Sequence, residues 1–259
     1  MPVAFVTDMG PMPAFEDDDY TGALAALGAS LPRPKAVLIM SGHWDASGTL
    51  AATTSTKPPL IYDYSGFPNE WYDRRYPCPG APDAAREAVR LLSAAGLPAR
   101  EDAGRGLDHG AWVPLTRLYP KADVPVAQLT VPAGEDPARI AAVGRALAPL
   151  RDQGVLLLGS GALSHNLRMM RFGAKDAPPD GWAGAFDAWM QRALETGALP
   201  ELLAYRRLAP SAALAAPTPE HFDPLFYALG AAGSDIPSFP YRAIRYGNAL
   251  LRLIVFGRR

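Results

Sequence analysis

Cysteine is almost missing from this 259-residue chain, with Cys78 the only one. A lone thiol excludes an intramolecular disulfide and any metal centre built on several thiolates. With no base beside it in sequence, Cys78 reads as inert. Net charge is nearly missing too, 25 Lys and Arg against 26 Asp and Glu, so no bulk field draws the chain to nucleic acid or to an anionic membrane. No apolar run approaches the roughly 18 residues of a membrane span. The N-terminus has neither the basic region nor the apolar core of a signal peptide, and a cytoplasmic globular protein is the expectation. Gly (24) and Pro (27) together stay below the roughly 25–30% that marks low-complexity disorder. A serine-hydrolase elbow, a P-loop and a dinucleotide-binding glycine run after the first strand are all absent, which removes three common enzyme classes.

What the chain does have is an alternation of short apolar runs and helical patterns. Val3–Thr7, Ala36–Ser41, Val124–Val131 and Val155–Ser160 are continuously apolar and bounded by Pro, Gly or Asp, as strands buried on both faces are. Leu250–Phe256 predicts a late strand of antiparallel type, and Thr49–Thr54 a further strand after a turn at Asp45–Gly48. Helices are predicted at Asp19–Ala29 behind the acidic run Glu16–Asp19, and at Asp83–Ala95, closed by Gly96 and Pro98. Others are predicted at Asp136–Leu150, Trp182–Leu194 and Glu220–Leu229, the last opened by Thr218 and Pro219. Strands alternating with such helices predict an α/β fold, a single domain over 1–259 with a central, mostly parallel sheet flanked by helices. The Pro-rich stretch Lys57–Pro82 is then a long loop on that domain, and loops of that length are usually functional or covering.

The chain has four histidines, His43, His109, His165 and His221, each beside Gly, Pro, Asp or Asn in a loop context. Parallel sheets bind ligands at the carboxyl ends of their strands. Asp8 directly follows Val3–Thr7, His43 follows Ala36–Ser41 by two residues, and His165 lies just past Val155–Ser160. Singly, each has an ordinary use, Asp8 as a cap or turn residue and the histidines as satisfied core or surface rings. Together they form two imidazoles and one carboxylate, the donor set of non-haem Fe(II) oxygenases, which Zn(II) also accepts. His109, in Gly106-Leu107-Asp108-His109-Gly110 ahead of a helical Ala111–Tyr119, is a candidate general acid/base, with a turn-and-cap role as the alternative. His221 falls on the first turn of the predicted helix Glu220–Leu229, where the positive dipole end favours a neutral ring able to bind metal or take a proton. The alternative there is a solvated Glu220–His221 pair. The aromatics Tyr62, Tyr64, Phe67, Trp71, Tyr72 and Tyr76 suit either the wall of an aromatic pocket or packing of the loop on the sheet. Arg168 is either a partner for a substrate carboxylate or a solvated cation.

Several motifs, in one order, carry a resemblance. They are Ser41-Gly42-His43-Trp44, Tyr62-Asp63-Tyr64-Ser65-Gly66-Phe67-Pro68, Tyr76-Pro77 with Pro79-Gly80, Gly106–Trp112, Gly159–Leu167, and Pro217–Phe222 with Pro224-Leu225. Nearly end to end, the chain resembles the class III extradiol ring-cleavage dioxygenases, in the subgroup similar to 4,5-DOPA extradiol dioxygenase. The resemblance implies an α/β fold, an Fe(II) or Zn(II) site, and O2-dependent cleavage of a catecholic ring beside its two hydroxyls to a muconic-semialdehyde-type product. It implies a small catecholic aromatic and O2 as the partners. It also implies His43 and His165 as metal ligands, His221 as a ligand or neighbour of the metal, and His109 as the acid/base. One motif departs. The family's first motif, His-Gly-Ser/Ala-Pro, is here Asp8-Met9-Gly10-Pro11, which puts Asp8 where the first ligating histidine would stand. A carboxylate binds Fe(II) well, so retention of metal is the expectation. The alternative is a metal-poor or zinc-bound homologue acting as a binding protein or hydrolase.

Overall fold

The apolar runs singled out above lie side by side at the centre of the computed structural model, which describes residues 1–46, 48–132 and 134–257. The strands are β1 (Val3–Thr7), β2 (Ala36–Ala46), β3 (Leu50–Thr53), β4 (Ala99–Asp102), β5 (Val126–Pro132), β6 (Val155–Gly161), β7 (Ile236–Arg245) and β8 (Ala249–Gly257). They form one sheet in the order β4-β3-β5-β2-β6-β1-β8-β7. The central run β5-β2-β6-β1 is parallel throughout, and β3 pairs parallel with β4. β8 joins β1 antiparallel, β7 joins β8 antiparallel, and β3 meets β5 antiparallel. The α/β reading with a mostly parallel sheet therefore holds.

The helices are α1 (Asp19–Ser30), α2 (Pro82–Ala94), α3 (His109–Leu118), α4 (Pro137–Leu147), α5 (Gly181–Glu195), α6 (Leu199–Leu203), α7 (Tyr205–Leu208), α8 (Ala212–Ala215) and α9 (Asp223–Ala232). Successive strand residues point to opposite faces, and the core divides accordingly. Phe5, Leu38, Met40 and Leu157 pack with residues of α2, α4, α5 and α9 on one face. Val6, Val37, Ile39 and Leu158 pack with residues of α1 and α3 on the other. Of the two caps read from sequence, the one at Asp136 is present and the one at Thr218 is not, and the acidic run before α1 supplies a further cap. The Asp18 carboxylate accepts from the Thr21 N–H in a capping box, and the Asp136 carboxylate accepts from Ala138 ahead of Pro137. No helix of the described residues is long and apolar enough to cross a membrane.

Several boundaries differ from expectation for physical reasons. The last major helix starts at Asp223 rather than Glu220, because the Pro219 carbonyl accepts the N–H groups of both Phe222 and Asp223 and closes a turn there. β2 runs past Ser41 to Ala46; Ser47, inside the turn expected at 45–48, lies outside the described residues. α4 ends at Leu147, and a single 3-10 turn, Ala148–Arg151, follows it before β6. β4 and β7 went unpredicted. Both are edge strands: β4 is the polar run Ala-Arg-Glu-Asp, and β7 carries Pro237 and Pro240, which only an edge tolerates well.

Candidate active site

β1, β6 and β2 are neighbours, and their carboxyl ends open on the same side of the sheet. Asp8 leaves the end of β1 with its N–H donating to the Gly161 carbonyl at the end of β6, 2.7 Å away. The Gly10 N–H donates to Asp8 Oδ1 at 2.8 Å, in a turn whose positive φ of 61° at position 10 suits glycine. That leaves Oδ2 pointing at His43 Nε2, 2.7 Å away. His43 lies in the irregular stretch where the β2–β5 register shifts between Met40 and Asp45. Such a bulge re-aims side chains at the end of a strand.

His221 reaches the same point from the turn before α9, with its Nε2 3.2 Å from His43 Nε2. Since it precedes the helix rather than opening it, the dipole argument made from sequence does not apply. Two contacts hold it instead. Its carbonyl accepts the Ala162 N–H at 2.6 Å, and its Nδ1 lies 3.1 Å from Glu220 Oε1. The Thr218 hydroxyl also donates to that oxygen, at 2.7 Å. Burial works to raise the Glu220 carboxyl, but the bonds from His221 and Thr218 outweigh it and hold the group at about 2. An ionised Glu220 fixes the Nδ1–H tautomer of His221 and leaves its Nε2 lone pair free.

His109 is the first residue of α3, whose N-cap Asp108 accepts the Ala111 N–H through its side chain. Both the backbone N–H and Nδ1 of His109 lie 2.9 Å from Asp63 Oδ1. Its Nε2 faces Asp8 Oδ2 at 3.8 Å, and its ring centroid is 3.9 Å from that of His43. His165 stacks on His221, centroids 3.5 Å apart and planes within 16°. Its donor atoms group with those of Glu220 and His221, while Asp8, His43 and His109 form a second such group. All five residues named from sequence thus meet in one place.

The charges are coupled. Burial works against the Asp8 carboxylate, but His109 and the hydrogen-bonded His43 outweigh it and hold the group far below the usual carboxylate range. Burial alone would lower His43, yet the Asp8 bond and charge raise it to about 9. Burial, reinforced by the neighbouring His221, pushes His165 down to about 4.

Donors at cis positions on an octahedral ion with bonds of about 2.1 Å lie about 3.0 Å apart. The 2.7 Å and 3.2 Å separations about His43 Nε2 bracket that value. The residues present therefore fit a divalent metal. They line a cavity of about 400 Å³ that also touches Asp63, Tyr64, Phe67, Met170 and Phe172. Of the six loop aromatics, Tyr64 and Phe67 reach the cavity; Trp71 stacks on Phe15 and Phe67, and buried Tyr76 donates its hydroxyl to the Tyr119 carbonyl.

Sequence reasoning gave no role to Asp63, to Glu220 as a tautomer-setting group, or to the glycines that let the elements close on the site. A Cβ on Gly110 would lie 2.8 Å from His43 Cδ2 and 3.1 Å from Asp8 Oδ2, and one on Gly42 3.1 Å from His221 Cα. Asp63 stood within a quoted motif, but nothing in sequence ties it to a histidine 46 residues away.

Residues 17–249 match the family described as the catalytic LigB subunit of aromatic ring-opening dioxygenase, a span that includes all four histidines and excludes Asp8. The chain is 36% identical over 264 residues to the Escherichia coli (strain K12) protein named 4,5-DOPA dioxygenase extradiol, covering 99% of this chain and 95% of that one. It is 43% identical over 209 residues to the Beta vulgaris protein of the same name, covering 78% and 75%. The crystal structure of an uncharacterised Escherichia coli K12 protein superposes with a TM-score of 0.84 at 33% identity, covering 99% of this chain and 100% of that one.

Proposed function

This chain belongs to the LigB family of aromatic ring-opening dioxygenases and is an extradiol enzyme using a metal, an aromatic substrate and O2, and from that premise we propose that it opens a catechol with Fe(II) held by Asp8, His43 and His221. The observations that support the ligand set are the approaches of Asp8 Oδ2, at 2.7 Å, and of His221 Nε2, at 3.2 Å, to the same atom, His43 Nε2, in the wall of the cavity. Iron rather than zinc follows from the chemistry, because Zn(II) has no redox activity to offer dioxygen. A bound Fe(II) supplies electron exchange with dioxygen and Lewis acidity toward the catechol oxygens. In the overall reaction the carbon–carbon bond beside the two hydroxyl-bearing carbons breaks and both oxygen atoms enter the semialdehyde acid. No external reductant is consumed.

The remaining residues handle protons and position the ring. Asp63, ionised and bonded to His109 Nδ1–H, leaves His109 Nε2 as an acceptor for a catechol hydroxyl proton. His165, held neutral by burial, accepts from the second hydroxyl. Tyr64 and Phe67 wall the ring. One sheet spans β1 to β8, which supports reading 1–259 as a single catalytic unit, and an Fe(II) enzyme with one free thiol suits the reducing cytoplasm.

Anaerobic reconstitution with Fe(II), followed by O2 and a catechol panel, is expected to give oxygen uptake and a yellow product. Asp8→Ala is expected to lose metal, whereas His165→Ala keeps metal and loses turnover. Absence of oxygen uptake with every catechol of the panel would overturn the activity; full metal content in Asp8→Ala would overturn the ligand set.

A further inference from the structure

Buried polar side chains in a folded protein nearly always have a hydrogen-bond partner, and one that lacks a partner beside a ligand cavity needs a reason. Among the described residues several buried side-chain atoms have none, and of these Ser164 Oγ alone belongs to a residue that lines the cavity. Ser164 is 5% exposed, so bulk water does not make up the missing bond. The backbone around it is pinned. The Ala162 N–H donates to the His221 carbonyl at 2.6 Å, the His165 N–H to the Ala215 carbonyl at 2.8 Å, and the Asn166 side-chain amide to the Leu214 carbonyl at 2.9 Å. The main chain therefore holds Ser164 in place and leaves it rotation about χ1, among three staggered positions.

The other hydroxyls of the cavity are committed or wet. Thr7 Oγ1 accepts the Arg252 N–H at 2.7 Å and faces the Leu250 and Arg252 carbonyls, Tyr64 donates to the Trp71 carbonyl at 2.9 Å, and Ser65 is exposed. The histidines and carboxylates at the proposed metal serve there as ligands, as proton acceptors or as their partners. Ser164 brings what they do not, a dry and unspent O–H donor for an oxygen that gains negative charge.

We propose that Ser164 is a catalytic residue whose hydroxyl, turned into the cavity about χ1, donates to the catechol oxygen that yields its proton to His165, the next residue in the chain. The proposal rests on the ring-opening reading above and adds a residue to it. The proton passes from the catechol hydroxyl to the His165 ring, the oxygen keeps the electron pair, and the Ser164 O–H bonds to that oxygen without giving up its own proton. Substrate binding then satisfies the orphaned hydroxyl, and the hydroxyl stabilises the anion that binding creates.

Ser164→Ala deletes an atom that bonds nothing among the described residues, so its Tm is expected to match the parent or rise, with iron content unchanged. Its kcat/KM for catechol is expected to fall about 10- to 100-fold, the worth of one hydrogen bond to a charged oxygen. Anaerobic calorimetry is expected to show weaker catechol binding. In the anaerobic Fe(II) complex with 4-nitrocatechol, whose visible band reports the ionisation of its oxygens, the variant is expected to shift the band toward the protonated form. Ser164→Thr keeps the donor and is expected to recover most of the loss. Ser160→Ala removes the other orphaned serine hydroxyl, inside β6 and outside the cavity lining, and is expected to keep full activity. A parent that opens catechol and a Ser164→Ala variant within about twofold of it overturn the proposal and leave the ring-opening reading standing. So does a variant that loses activity together with several degrees of Tm, or one that leaves the 4-nitrocatechol band unmoved. A parent that neither binds nor turns over any catechol overturns the reading and the proposal together.

Discussion

Replacing Gly110 with alanine separates the stability of the fold from the geometry of the site. Gly110 is the second residue of α3, and an added Cβ would press on Ser41 Oγ, on His43 Cδ2 at 2.8 Å and on Asp8 Oδ2 at 3.1 Å. The two carbon atoms would thus sit well inside the roughly 3.5–4.0 Å of an ordinary contact. Ser41 is fully buried and its Oγ accepts the His43 N–H, so it yields only by losing that bond. Overpacking of this kind costs about 1–3 kcal/mol. Alanine in place of glycine in a helix returns up to about 1 kcal/mol. The net loss in unfolding free energy is then about 0–3 kcal/mol, a fall of up to several degrees in Tm for a chain of this length. The strain falls on the two donors, and a displacement of about 1 Å in reacting geometry costs on the order of a hundredfold in rate. The expected result is a folded Gly110→Ala protein with reduced iron after reconstitution and kcat/KM lowered about a hundredfold. Melting, atomic emission and oxygen uptake read the three quantities. Gly184→Ala, in α5 with no neighbouring atom of the described residues within 4 Å of its added Cβ outside its own helix turn, is the control and is expected to keep full activity. Full iron and a kcat/KM within twofold of the parent in Gly110→Ala would refute the claim that these donors are held by close packing.

Three further outcomes follow from individual contacts. Glu220→Ala removes the carboxylate that holds His221 Nδ1–H, and should weaken metal binding about 10–100-fold in a competition titration, with Glu220→Gln recovering part of the loss. The Asp223 carboxyl is pushed up to about 8 by burial and by Glu220, and its Oδ2 has no hydrogen-bond partner among the described residues. The folded state then holds a proton that the unfolded chain releases between about pH 4 and 8, so stability falls by up to about 1.4 kcal/mol per pH unit across that window. Asp223→Asn should flatten this slope in urea unfolding at pH 5 and pH 8, and an unchanged slope would remove burial of that group as its source. Arg252 is fully buried and bonds the Asp187 carboxylate, which Arg242 also contacts. Arg252→Leu should cost about 3 kcal/mol, the low end for a broken buried pair because Arg242 remains, measured by equilibrium unfolding.

The central sheet was legible in sequence because its strands are buried on both faces and so read as unbroken apolar runs. The same fact located the site, since Asp8, His43 and His165 each lie just beyond such a run, and strand ends in a parallel sheet share one side. What escaped notice depends on contacts between distant residues. Asp63 meets His109 across 46 positions, and Gly110 is constrained by β2 and by the residue after β1 rather than by its own helix. The start of α9 was misplaced because Thr218-Pro219-Glu220 looks like a cap followed by a helical proline. In the fold, that proline closes a turn and Pro224 occupies the first turn instead. The six loop aromatics suit a pocket wall or loop packing equally well in sequence, and the fold uses both: Tyr64 and Phe67 reach the cavity, while Trp71 and Tyr76 pack the loop.

Asp8 lies before the span that matches the family, and its surroundings suit the metal-ligand role proposed for it. One oxygen is occupied by the Gly10 N–H, so the group presents the other as a single donor to the position that His43 and His221 share. With a divalent ion, two neutral imidazoles and one carboxylate leave one net positive charge, which a catechol that has lost one proton neutralises. Three imidazoles would leave two charges and favour loss of both protons. With the proposed ligand set, the carboxylate would shift part of the work of deprotonation from the metal to the protein, and His109, with its Nδ1 near Asp63 and its Nε2 facing the same oxygen of Asp8, would take it up. The same carboxylate, by hydrogen bond and charge, favours the protonated form of His43 against the effect of burial. A metal held as proposed would have to displace that proton, so Asp8 would be both the anion that attracts the ion and the partner the ion must part from His43.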